Sequence, residues 1–120
     1  MRKDEDLRDR TKQFALRIIR MYDQLPSTTT AQTIGKQVLR SGTSVAANYR
    51  EARRGRSRAE VRAKLGLVEQ ELDETMLWLE LLVDAEIVAA PKLSPLMQET
   101  DELLRIIVAS ITQLREPLTK

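Results

Sequence analysis

The sequence predicts an all-α fold, an up-down-up-down antiparallel four-helix bundle, on three observations. Apolar residues recur at steps of three and four along nearly the whole chain. No segment alternates apolar and polar residues as a half-buried strand does. Gly and Pro, four of each, fall mostly at breaks between the periodic segments. Together these divide residues 1–120 into one domain with helices at about 6–24, 30–54, 58–87 and 95–115.

In the first helix Leu7, Thr11, Phe14, Ile18, Met21 and Leu25 form the inward stripe, widened by Ala15, Ile19 and Tyr22. Pro26 and the Ser27–Thr30 run end it, because Pro disfavours helix at the residue before it. The second stripe is Ile34, Val38, Ser41, Val45, Asn48 and Ala52, with Leu39, Gly42, Ala46 and Tyr49 alongside. Gly35 and Gly42 each cost about 1 kcal/mol relative to Ala inside a helix. Either another helix passes close to them or the cost is simply tolerated.

The third helix opens on a capping box, in which Ser57 accepts from the Glu60 N–H and Glu60 reaches back to Ser57. Val61, Leu65, Val68, Leu72, Thr75, Leu79 and Leu82 make its inward stripe. The fourth opens at Ser94-Pro95, an N-cap with Pro at the first helical position. Its buried face is Leu96, Leu103, Leu104, Ile107, Val108, Ile111 and Leu114.

The third helix carries a second apolar side. Leu77 and Leu81 lie opposite the inward stripe, with Leu67 and Trp78 near them. Scattered exposed leucines are common on monomers. A contiguous patch that includes a Trp instead reads as an oligomer interface.

Composition excludes most catalysis. Cys and His are both absent, removing thiolate chemistry, the commonest neutral-pH base and the usual zinc ligands. One Phe, one Trp and two Tyr are too few for a base-stacking platform. The N-terminus is too charged for a signal peptide and no apolar run approaches membrane-spanning length, so a cytoplasmic protein with no membrane partner is expected. No cofactor is expected.

The net charge of +2 hides an uneven distribution. In an up-down bundle one end gathers residues 1–12, 50–64 and 115–120, which sum to +7. The other gathers Asp23, Lys36, Glu80, Asp84, Glu86, Lys92, Glu99, Asp101 and Glu102, which sum to −5. At the basic end Arg50, Arg53, Arg54, Arg56, Arg58 and Arg62 fall within 13 residues. Cations at a helix C-terminus, with Gly55 as a cap, explain two or three of them. The cluster reads either as a solvated, solubilising surface or as a site for an anionic partner, nucleic-acid backbone first, and Arg suits bidentate phosphate contact. Such a site would hold phosphates without reading bases.

Ser41 and Asn48 bring polar groups to core positions of the second helix, flanked by Arg40, Ser44 and Glu51. Glu69, Glu71, Asp73 and Glu74 answer from the third. Helical di-metal sites use Glu-x-x-His pairs, and without His this seam reads as a structural polar network centred on Asn48, with no metal.

The run Leu39-Arg40-Ser41-Gly42-Thr43-Ser44-Val45-Ala46-Ala47-Asn48-Tyr49-Arg50-Glu51-Ala52 resembles the signature of the four helix bundle protein family. Ser57-Arg58-Ala59-Glu60, Lys64-Leu65 and the Glu71–Leu82 run resemble its downstream part. That family includes proteins encoded within intervening sequences of 23S ribosomal RNA genes and is similar to accessory proteins of diversity-generating retroelements. The resemblance implies a protomer that assembles into a ring, typically a pentamer, without enzymatic activity. In the retroelement branch the ring binds nucleic acid and a reverse transcriptase through a basic surface. Carried over, that surface falls among Arg50, Arg53, Arg54, Arg56 and Arg58, and Arg40, Ser44, Asn48 and Glu51 match the family's polar seam. Where many relatives continue Glu-Gly, this chain has Glu51-Ala52, with its glycine at Gly55.

Overall fold

The computed structural model describes the backbone of residues 3–115 and side chains from residue 6. These residues form four α-helices and no strand: α1 (Lys3–Asp23), α2 (Thr29–Arg53), α3 (Arg58–Asp84) and α4 (Ala90–Arg115). At 1.5 Å per residue, 21 to 27 residues make rods of about 30–40 Å. Each helix packs antiparallel against the next in chain order, whereas α4 and α1 approach each other at only a few points. The fourth side of the bundle is a seam, bridged by the Arg10 guanidinium. Its Nε and Nη2 donate to Glu99 at 3.1 and 2.7 Å, and Nη2 also donates to Glu102 at 3.1 Å.

The helix starts follow local hydrogen bonding. Thr28, in extended conformation, accepts from the Ala31 N–H and caps α2. Ser57 accepts from the Glu60 N–H at 3.0 Å and caps α3. Glu60 reaches one residue further back than a capping box requires, its carboxylate accepting from the Arg56 N–H at 2.6 Å.

Two boundaries differ from the sequence expectation. α3 stops at Asp84 rather than 87, because Glu86 adopts a left-handed conformation with φ 61°. The Ile87 N–H then bonds the Leu82 carbonyl, and the Glu86 N–H bonds that of Val83, each at 2.9 Å. This Schellman closure satisfies carbonyls the helix end would otherwise leave open. α4 begins at Ala90, five residues before the expected 95. Pro91 sits in the first turn, where its missing N–H has no partner to lose. Pro95, inside the helix, forgoes only the bond to the Pro91 carbonyl.

Leu65, Val68, Leu72, Thr75, Leu79 and Leu82 are buried on α3, as their spacing predicts. On α2 the buried face is turned from the expected one: Gly35, Gly42 and Tyr49 are inside, while Ile34 and Asn48 are half-buried. The glycines explain the rotation. A Cβ at Gly42 would lie 2.7 Å from Ile18 Cγ1, and one at Gly35 would lie 2.6 Å from Leu25 Cδ1. α1 therefore lies against both, and close approach is the reason they are glycine. Gly55 is no left-handed cap; α2 caps at Arg54, and a Cβ at Gly55 would lie 2.5 Å from Val61 Cγ2. On α4, Leu93 and Thr100 are buried, whereas Val108 is exposed and Leu104 and Leu114 are half-buried.

Candidate nucleic-acid interface

The antiparallel order places the C-terminus of α2 beside the first turns of α1. Arg50 and Arg53 project there at i and i+3, and Arg8 and Lys12 face them at i and i+4. With Asp9 these four cations line a cleft of about 270 Å³. An adjoining cleft of about 240 Å³ is lined by Arg8, Arg50, Arg53 and Arg54. All five cations are exposed. Among the described residues one carboxylate lines these clefts with five cations, a concave, positively charged surface between two helices suited to backbone phosphates.

The rest of the arginine cluster is arranged differently. Arg58 turns across the end of the bundle, and its Nη2 donates to the Gln113 and Leu114 carbonyls at 3.1 Å each, closing the C-terminus of α4. Arg56 is exposed in the joint and Arg62 is half-buried on α3, and neither lines the two clefts. The structure thus brings Arg50, Arg53 and Arg54 together and adds Arg8 and Lys12. A pair at i and i+4 on the first helix was a sequence signal for these two; what it faces depends on the tertiary pairing.

The charge polarity is smaller than the sequence sums indicate. Side chains of Arg2, Lys3, Asp4, Glu5, Glu116 and Lys120 lie outside those described, and their charges cancel. Arg10 pairs with Glu99 and Glu102, so none of the three contributes to its assigned end. Arg20 joins the opposite end, beside Lys92. Asp23, Lys36, Glu80, Asp84, Glu86, Lys92, Asp101 and Arg20 then total −2, and the basic end keeps +6. The end opposite the clefts is only mildly acidic.

The polar seam between α2 and α3 is built from pairs other than those around Asn48. Ser41 and Thr75, both fully buried, meet at 2.8 Å between hydroxyl oxygens. Thr75 donates to the Glu71 carbonyl at 2.7 Å, which leaves Ser41 as donor to Thr75. Outside this pair, Arg40 bridges Glu71 and Glu74, and Lys64 bonds Glu51 at 3.0 Å. Asn48 and Ser44 are half-buried and make no side-chain hydrogen bond to a described residue. Helical rotation explains the change of centre: with Gly42 and Tyr49 inward, Asn48 moves to the rim. The Trp78 indole N–H, at 3.0 Å, and Arg40 both hydrogen-bond Glu74, holding its carboxyl below the usual 4.5. Glu74 in turn raises the Arg40 pKa, as Glu99 raises that of Arg10. No group of three potential metal ligands occurs among the described residues.

On the outer side of α3, Leu67, Leu77 and Leu81 are 41%, 48% and 36% exposed. Trp78, next to Leu77, is half-buried and also packs against the core. No helix among the described residues is long and apolar enough to cross a membrane.

Comparison with known proteins agrees with this architecture. A crystal structure at 1.70 Å of a protein of unknown function from the S23 ribosomal protein family of Bacteroides thetaiotaomicron VPI-5482 superposes with a TM-score of 0.86. It is 34% identical, and the match covers 92% of this chain and 99% of that one. No curated protein matches significantly in sequence. A family profile described as 23S rRNA-intervening sequence protein matches residues 3–109. With the match spanning all four helices, the chain belongs to the 23S rRNA-intervening sequence protein family.

Proposed function

We propose that this protein acts without catalysis, as a homo-oligomer that holds nucleic-acid backbone at its basic end. The observation that carries the reading is the cleft between α1 and α2, where Arg8, Lys12, Arg50 and Arg53 converge on one concave surface. Helix stability does not account for it. The macrodipole favours Arg50 and Arg53 in the last turn of α2 but not Arg8 and Lys12 in the N-terminal half of α1. Arg58 serves mainly to close α4, and Arg56 and Arg62 extend the positive surface at its margin. With few aromatics and no groove-reading element, contacts go to phosphates, and binding discriminates little between sequences.

Anisotropy of labelled 20-base-pair RNA and DNA duplexes tests this. Arg8→Gln/Lys12→Gln/Arg50→Gln should weaken binding at least tenfold, and Arg62→Gln less than threefold. Equal binding by the triple variant and the unaltered protein would refute the assignment of the cleft.

The exposed leucines of α3 support the homo-oligomer and favour a second reading, a ring-forming scaffold whose function is assembly itself. Leu77→Glu/Leu81→Glu should lower the mass measured by light scattering; an unchanged mass would remove this face as the interface. A stable oligomer that binds neither duplex at physiological salt would favour the scaffold.

A further inference from the structure

A different cleft lies at the opposite end of the molecule, where α1 and α4 part. It has a volume of about 340 Å³, within the range of small-molecule sites. Its lining includes aliphatic side chains, with Met21 in the last turn of α1 and Leu25 just beyond it on one side, and Ile87 just before α4 and Leu93 in its first turn on the other. Met21, Leu25 and Ile87 touch the core yet remain half-buried, because no helix closes this side. Two cations, Arg20 and Lys92, stand at its edge from opposite walls. Neither side chain has an ion-pair or hydrogen-bond partner among the described residues.

The position of Lys92 is informative. It lies in the first turn of α4, where the macrodipole disfavours a cation, and that turn holds no acidic residue. Arg20, in the last turn of α1, is favoured by its own helix, yet it converges on the same opening. An aliphatic lining between two unpaired cations is complementary to a ligand with an aliphatic body and an anionic head. The lining contains no aromatic ring, so nothing in it selects a planar ligand.

We propose that this cleft binds a medium-chain carboxylate, the acyl chain lying along Met21, Leu25, Ile87 and Leu93 and the carboxylate between Arg20 and Lys92. The site is independent of the basic clefts at the other end and does not rest on the nucleic-acid reading.

Methionine methyl resonances report it directly, since Met21 lines this cleft while Met76 and Met97 line the groove between α3 and α4. Decanoate, kept below its micelle concentration, should shift the Met21 methyl saturably and leave Met76 and Met97 in place. Arg20→Glu/Lys92→Glu should weaken this at least tenfold, about the worth of one charge-assisted hydrogen bond. Decanol should bind as weakly to the unaltered protein. Unshifted Met76 and Met97 signals in the variant would verify that its fold is intact, both altered side chains being exposed. No saturable Met21 shift, equal binding of decanol and decanoate, or equal shifts at all three methionines would each overturn the proposal.

Discussion

Gly42→Ala and Gly66→Ala make the same chemical change in neighbouring helices and should move stability in opposite directions. A Gly to Ala change inside a helix gains about 1 kcal/mol from propensity alone. At Gly66 a new Cβ meets nothing within 4 Å, so the full gain of about 1 kcal/mol should appear. At Gly42 the Cβ lies 2.7 Å from Ile18 Cγ1 and 3.0 Å from Cγ2. Ile18 is fully buried and branched at Cβ, so it cannot swing aside within its rotamers. Overpacking of this kind costs about 1–3 kcal/mol. The net effect is a loss of about 0–2 kcal/mol, and the two variants should differ by about 1–3 kcal/mol. Urea denaturation followed by circular dichroism at 222 nm, at one fixed protein concentration, measures both. Gly35→Ala should fall between them, because the atom it meets first, Leu25 Cδ1, ends a side chain that is only half-buried. If Gly42→Ala stabilises as much as Gly66→Ala, α1 does not lie against α2 at this point and the packing argument fails.

Three further outcomes follow from the same geometry. Thr75→Val should destabilise by about 1–3 kcal/mol because it leaves the buried Ser41 hydroxyl only the long 3.4 Å bond to the Val38 carbonyl, whereas Ser41→Ala/Thr75→Val should cost less than the sum of its single changes; additive costs in a double-mutant cycle would deny the pairing. Glu74 has a lowered pKa, so its contribution is present above the unfolded value of about 4.5 and is lost as pH falls through the lowered folded value. The stability gap between Glu74→Gln and the unaltered protein should therefore narrow on titration from pH 7 to pH 3, and a constant gap would mean that the carboxylate has no role. Glu86→Gly should raise stability by about 0.5–1 kcal/mol by relieving a left-handed conformation, read as a higher melting temperature; a lower one would place Glu86 elsewhere in the native chain.

The readable parts of the fold were those where one helix face carries large side chains. α3 shows its buried stripe because each position from Leu65 to Leu82 is branched or bulky, Thr75 included. α2 misleads because its closest contact is made by glycines, which carry no hydrophobic signal; what they permit is visible only once Ile18 is placed opposite. The sequence places the start of α4 too late because Ser94-Pro95 has the form of a helix start, whereas the helix begins at Ala90, with Pro91 in its first turn and Leu93 buried. For the site, local sequence exposed the arginine cluster but not its division. Arg58 is taken by carbonyls 55 and 56 residues away, and Arg8 and Lys12 reach the cleft from the far end of another helix. Pairings at such separation depend on topology, which periodicity alone leaves open.

The central claim, that the cleft between α1 and α2 holds nucleic-acid backbone, is tested most directly by the salt dependence of duplex DNA binding. A protein that neutralises Z phosphates shows a log–log slope of about −0.9Z. With Arg8, Lys12, Arg50 and Arg54 set against Asp9 at the clefts, the slope should be about −3 for each protomer engaged. Each of Arg8→Gln, Lys12→Gln and Arg50→Gln should reduce its magnitude by about 1. A slope that the three substitutions leave unchanged, with affinity intact, would show that the backbone is held elsewhere.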